Sequence, residues 1–186
     1  MTNNSLFNRV LLTVVVLAAL GGVCASASAK DGGNAYLMKR ASQTFDAVRK
    51  HMATDDKVLL QEAVPVKEGQ NPYSFLWGYS AMVSSVSAMY EASGDKHWLD
   101  VMDGMMLKGL DKYYDTKRQP AGYASYVNTA PQSDRFYDDN IWLGIDMADL
   151  YAATGKKSYL QRAEEIWTFV MSGYDDKLGG GIYWCE

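Results

Sequence analysis

Apolar residues recur at helical spacing along most of the chain, so the pattern predicts helices joined by short polar turns. Met38, Ala41, Phe45, Val48 and Met52 mark a first helix. Phe75 to Ala92 carries a second and His97 to Tyr114 a third; Ile141 to Ala153 and Tyr159 to Met171 carry a fourth and fifth. Gly94 and Gly155 fall between helices, where a left-handed cap is needed. Strand patterns of any length are absent, and the fold class read from this pattern is all-α.

The pattern also repeats. An offset of 61 maps Met89-Tyr90 onto Leu150-Tyr151, Ala92 onto Ala153, Gly94 onto Gly155 and Lys96 onto Lys157. The same offset maps Trp98-Leu99 onto Tyr159-Leu160, Tyr113 onto Tyr174 and Asp115 onto Asp176. Each unit is thus a helix, a short Gly turn, a second helix and a longer loop rich in Gly and aromatics. Such hairpins bury their apolar faces only against neighbouring hairpins. Closing them into a ring gives a toroid of paired inner and outer helices. Six units of this length need about 366 residues. The chain holds about two and a half, and it stops within the loop Gly179 to Glu186. The expectation is the N-terminal part of a longer toroid, with a small independent helical bundle as the alternative.

Loops before the predicted inner helices (Pro72 to Trp77, Asp134 to Trp142) and after the outer ones (Gln119 to Tyr126, Leu178 to Trp184) share one rim and carry Tyr, Trp and Gly. Aromatic faces pack on the apolar faces of pyranose rings, so such a rim suits carbohydrate. Trp77 occupies the same station in its unit as Asp138 does in the next, and is expected at the same mouth.

The N-terminus changes the account of where the protein works. Arg9 precedes an apolar stretch, Val10 to Leu20, broken only by Thr13, and Ala27-Ser28-Ala29 has the small-x-small form of a cleavage site. That stretch is about half of the roughly 20 residues a membrane span needs, so residues 1–29 read as a secretory signal peptide. The protein is then secreted, periplasmic or at the cell surface. Lipid attachment at Cys24 is the competing reading, which Val23 disfavours by standing where a small residue is wanted. Residues 30–186 make one domain. Only Arg9 among the charged residues precedes residue 30, so the remainder stays acidic and has no basic run. This argues against nucleic acid and anionic lipid, and fits a neutral ligand. Cys185 is the one cysteine left, so no internal disulfide forms. His51 and His97 are isolated helix-end residues; no metal or cofactor is expected.

Candidate chemistry concentrates in one run, Asp134-Arg135-Phe136-Tyr137-Asp138-Asp139-Asn140-Ile141-Trp142, where a loop meets an apolar helix. Adjacent carboxylates repel, so one is readily held protonated while the other ionises. That pair of states supplies an acid and a nucleophile or base, as glycoside hydrolysis requires. Helix capping is the bland alternative for Asp138-Asp139-Asn140. Bracketing by Tyr137 and Trp142, a charge partner in Asp134-Arg135, and placement on the aromatic rim favour chemistry. Asp55-Asp56 and Glu164-Glu165 read as solvated pairs, and Asp175-Asp176 as part of a turn.

The run Arg135-Phe136-Tyr137-Asp138-Asp139-Asn140-Ile141-Trp142 resembles the signature of glycoside hydrolase family 76, the endo-α-1,6-mannanases. The likeness continues through Gly144, Asp146 and Asp149-Leu150-Tyr151 to Gly179-Gly180-Gly181-Ile182-Tyr183-Trp184, and upstream through Phe75-Leu76-Trp77 and Tyr113-Tyr114-Asp115. The resemblance implies an (α/α)6 barrel, here incomplete, and a retaining mechanism on α-1,6-linked mannan or manno-oligosaccharide. It makes Asp138 the nucleophile and Asp139 the acid/base. Trp77, Tyr137, Trp142, Tyr183 and Trp184 are the expected sugar-binding aromatics. A non-catalytic glycan-binding protein on the same scaffold is the alternative, and an open half-ring is expected to expose apolar helix faces.

Overall fold

The computed structural model describes residues 31–129 and 131–186. The expected leader, residues 1–29, and the alternative anchor at Cys24 lie outside the described residues. Two units divide the chain, Met1–Lys39 and Arg40–Glu186. Helix α1 spans Asp31–Met52 and its first turns belong to the former. In the second unit follow α2 (Leu76–Ser93), a continuous helix α3 built from His97–Val101, Met102–Met106 and Leu107–Leu110, then α4 (Tyr137–Thr154) and α5 (Lys157–Ser172). Among the described residues no helix is long and apolar enough to cross a membrane.

Each helix covers most of the span that the apolar period predicts, with ends displaced by up to seven residues, and the buried residues keep the period. Leu76, Tyr79, Val83 and Val86 line one face of α2, and Leu143, Met147 and Leu150 line one face of α4. Met102, Met106 and Leu110 of α3 and Ile166, Phe169 and Val170 of α5 complete the core. Helix α4 packs along both α2 and α5, while α3 packs on α2. The inner helices α2 and α4 are therefore neighbours, each with an outer partner.

Repetition is close at the level of caps. Both inner helices are 18 residues long and start 61 residues apart. Each ends at a left-handed glycine, Gly94 at φ 65° and Gly155 at φ 69°, whose N–H donates to the carbonyl of Tyr90 or Tyr151 at 2.8 Å. A side chain at such φ is strained, which explains the pair of glycines.

Two short antiparallel ladders depart from the strand-free expectation. Strands β1 (Tyr114–Asp115) and β2 (Gly122–Tyr123) pair after α3, and β3 (Tyr174–Asp175) and β4 (Gly181–Ile182) pair after α5. Strands of two residues are too short to leave an alternating pattern. Their register also corrects the repeat. Tyr114-Asp115 stands where Tyr174-Asp175 stands, an offset of 60, so Tyr113 and Asp115 are not the partners of Tyr174 and Asp176. Asp115 Oδ1 accepts from the Lys117 amide at 2.8 Å and Asp175 Oδ1 from the Lys177 amide at 2.6 Å, the same turn in both units. The cause is a π-helical turn over Met102–Met106, which takes up one extra residue inside α3. The sequence Tyr-Asp-x-Lys at 114–117 and 174–177 carries this offset openly.

Candidate active site

Asp138 and Asp139 occupy the first turn of α4, which begins four residues earlier than the apolar period indicates. Phe136 is the N-cap residue and makes no side-chain cap hydrogen bond, so neither acid stands at the N-cap position. Successive residues of a helix point about 100° apart, and this alone makes the two carboxylates inequivalent. Asp139 shares its face with Leu143, Asp146 and Leu150, all buried; Asp138 shares its face with Trp142 and Ile145, both exposed. Asp139 is only 9% exposed. Burial, reinforced by the charge of Asp138, pushes its carboxyl up to about 6.

Asp138 is exposed and serves as an acceptor. Its Oδ1 takes the backbone N–H of Asp139 at 3.0 Å, and its Oδ2 takes the indole N–H of Trp184 at 3.1 Å. Residues 183–186 come to the helix start as an extended segment. The amide of Tyr137 donates to the Trp184 carbonyl at 2.9 Å, Phe136 and Cys185 form a bridge, and the Glu186 amide donates to the Arg135 carbonyl at 3.2 Å.

Arg135 does not serve the acidic pair, contrary to expectation. It is fully buried, its guanidinium lies 4.7 Å from the Phe169 ring centroid, and it donates to the Pro120 carbonyl at 2.7 Å. Its charge partner is Glu186, with Nε to Oε2 at 2.8 Å and a second bond from Nη2 to Oε1. Arg118 adds a weaker contact to Glu186 at 3.4 Å while binding Asp115 at 2.6 Å. The two arginines hold the Glu186 carboxyl below the usual carboxylate range, the Arg135 hydrogen bond being the largest cause.

The expected aromatics divide. Trp142, Tyr183 and Trp184 are exposed, as is Trp77 at 62%. Tyr137 is the correction: it is 5% exposed, stacks on Phe169 at 4.9 Å between ring centroids, and fills the space above Gly173. A Cβ at Gly173 would lie 2.4 Å from that ring. Tyr137 is a core residue, not a sugar platform. Tyr183 donates from its hydroxyl to Asp175 Oδ2 at 3.0 Å, beside Trp184. Trp77 is the second residue of α2, as Asp138 is of α4, so the two share a station on adjacent helices. Among the described residues no hydrogen bond or ring contact joins Trp77 to the pair.

Two further acid-site features were not visible in the pattern. Asn140 is fully buried; its Oδ1 accepts the Tyr123 amide at 2.9 Å, and its Nδ2 donates to the carbonyls of Tyr123 and Phe136 at 2.9 and 2.8 Å. It moors the helix start to β2. Asp146 lies two turns below Asp139 on the same face, and the Ser84 hydroxyl of α2 donates to it at 2.6 Å. Burial, aided by Asp149 and Glu91, lifts its carboxyl to about 6 despite that hydrogen bond. A nearby apolar groove of about 430 Å³ between α4 and α5, lined by Ile141, Ile145, Ala148, Trp167 and Ile182, includes neither acid. The exposed Ile145, Trp167 and Ile182 contribute to this groove.

Inner helices packed side by side, each joined to an outer partner through a short turn, define a class, the helical-hairpin folds. The model of glycosyl hydrolase family 76 matches residues 70–186, more than half of the chain. The chain belongs to that family, and its hairpins are part of an (α/α)6-barrel type toroid, here incomplete. Its fold is similar to the family 76 mannosidase Bt3792 from Bacteroides thetaiotaomicron, with 28% identity, a TM-score of 0.67, and coverage of 81% of this chain and 42% of that one. The α-mannanase BT2949 from the same species matches at 27% identity and TM-score 0.63, covering 81% and 40%. The GH76A α-1,6-mannanase from Salegentibacter sp. HEL1_6 shares the fold at 22% identity and TM-score 0.55, covering 80% and 38%. This chain therefore spans about two fifths of the length of these solved relatives. No curated protein matches it.

Proposed function

We propose that this chain carries the acid and nucleophile of a retaining α-1,6-mannan hydrolase, exported by its leader. The observation that carries the reading is the division of the pair: Asp138 exposed and held as an acceptor, Asp139 buried with its proton affinity raised to about 6. Membership of family 76 supports the substrate class, as do the mannosidase and α-mannanase among the relatives.

In the first step Asp139, protonated, gives its proton to the glycosidic oxygen as the bond from that oxygen to the anomeric carbon breaks. An Asp138 oxygen attacks the same carbon from the opposite face, leaving a glycosyl ester and an ionised Asp139. In the second step Asp139 takes a proton from water, whose oxygen displaces Asp138 at the anomeric carbon. Two inversions give net retention, and both carboxyls return to their starting states. Burial of Asp139 favours its protonated form before the first step, and the α4 dipole favours charge on Asp138.

The test is release of reducing ends from unbranched α-1,6-mannan by the 186-residue chain, with the anomer of the new end followed by NMR. The expected product is the α-anomer at first appearance, and Asp138→Asn is expected to lose several orders of magnitude in rate. Saccharide binding without any product would instead favour a glycan-binding role, to which the exposed Trp77, Trp142, Tyr183 and Trp184 are suited.

A further inference from the structure

We propose that Trp184 is a positioning residue for Asp138: its indole N–H fixes the attacking carboxylate, and residues 183–186 are the strap that places the indole. The inference rests on the reading of Asp138 as nucleophile and extends it to a residue 46 positions away.

Both oxygens of Asp138 are engaged, Oδ1 by the Asp139 amide at 3.0 Å and Oδ2 by the Trp184 indole at 3.1 Å. Two donors on different oxygens set the plane of a carboxylate, which a single local bond cannot do. A carboxylate already oriented toward the anomeric carbon spends less of the barrier on alignment. Trp184 is itself held from several sides. Its carbonyl accepts the Tyr137 amide, its neighbour Cys185 bridges Phe136, and Glu186 is clamped by Arg135 and Arg118. The Phe136 ring backs the indole at 4.8 Å between centroids.

Burial does not account for this placement, because Trp184 remains 70% exposed. The repeat gives an internal control. In the preceding unit the amide of Leu76, first residue of α2, donates to the Ser125 carbonyl at 2.9 Å, as Tyr137 donates to Trp184. Ser125 thus occupies the station of Trp184, and Trp77 that of Asp138. The strap-to-helix hydrogen bond belongs to the scaffold and occurs twice. The indole-to-carboxylate bond occurs in the acidic unit, and among the described residues no side-chain hydrogen bond joins Ser125 to Trp77, although an indole and a hydroxyl could form one. A bond added to the scaffold at the one station bearing the proposed nucleophile serves that nucleophile.

The experiment compares the wild-type chain with Trp184→Phe, which keeps an aromatic face but removes the N–H. On α-1,6-mannan kcat is expected to fall about 10- to 100-fold while KM changes less than about threefold. Equal kcat in the two proteins, or a loss confined to KM, overturns the positioning role and leaves Trp184 as a sugar platform. A readout independent of turnover is the indole ¹H–¹⁵N signal of Trp184, which is expected to shift in Asp138→Asn; a signal unmoved by that change also overturns the proposal. Should Trp184→Phe fail to fold, the indole signal of the wild type and Asp138→Asn decides. A wild-type chain that yields no product overturns the hydrolase reading itself, whereas turnover unaffected by Trp184→Phe overturns this inference alone.

Discussion

The side-chain amide of Asn140 closes a two-way hydrogen bond with the backbone of Tyr123, accepting its N–H and donating to its carbonyl, both at 2.9 Å. Asn140 follows the acidic pair directly, so this contact ties the start of α4 to the β1–β2 ladder of the preceding unit. Replacing it with alanine leaves the Tyr123 N–H and carbonyl buried without partners. Asn140→Ala is expected to cost about 3 kcal/mol, read from denaturant unfolding, because each buried group left unpaired costs about 1–3 kcal/mol.

The raised proton affinity of Asp139 sets a pH limit on its proposed role as acid. Protonated Asp139 disappears as pH rises through about 6. The pH profile of kcat/KM on α-1,6-mannan is expected to show its basic limb near that value. Asp139→Asn should remove the limb along with most of the activity.

The same group affects stability in a definite direction. Folded Asp139 keeps its proton up to about 6, whereas the unfolded chain releases it near the ordinary 3.8. The folded state therefore binds more protons in that window, and the contribution of Asp139 to stability falls as pH rises through it. Asp139→Asn should match the wild type at the acidic end, below about pH 4. Its advantage should grow toward pH 6 and level off at up to about 3 kcal/mol. Thermal unfolding of both proteins across this range checks the sign.

Asp146 separates the acid assignment from mere burial. It has the same raised affinity, yet it is engaged by Ser84 and sits two turns down α4. Asp146→Asn is expected to keep kcat within about threefold while gaining stability above pH 6 in the same manner. Steady-state kinetics on α-1,6-mannan together with thermal unfolding decide this.

Glu186 balances a fully buried guanidinium. Glu186→Ala leaves Arg135 with its Pro120 carbonyl and the Phe169 ring but no negative partner. A loss of about 3 kcal/mol is expected, since removing one partner of a buried pair strands the other charge. Unfolding in urea measures it, and loss of the shifted Trp184 indole signal would report release of the strap.

Several features were legible because they are local. Hairpins, glycine caps and the spacing of the inner helices follow from the 3.6-residue period and from Gly94 and Gly155, and the acidic pair stands out in the chain as written. The ladders escaped because two-residue strands leave no alternation, and the repeat slipped by one because the π turn at Met102–Met106 has no marker in the apolar pattern. Reading α4 only from Ile141 hid its first turn. Extended to Tyr137, the same period sets Asp139 with Leu143 and Asp146 and sets Asp138 with Trp142.

Other assignments required the folded chain. Tyr137 is an aromatic beside an acidic pair, and nothing in its neighbours says that Phe169 and Gly173 enclose it. Arg135 precedes the acids by three residues, yet its partner is Glu186, 51 residues on. From the sequence came two carboxylates side by side at a helix start, with the repulsion that follows. Tertiary structure decided which of them is dry and which is held by Trp184, because desolvation and long-range hydrogen bonds depend on what the chain brings back to that helix end rather than on what stands next to it.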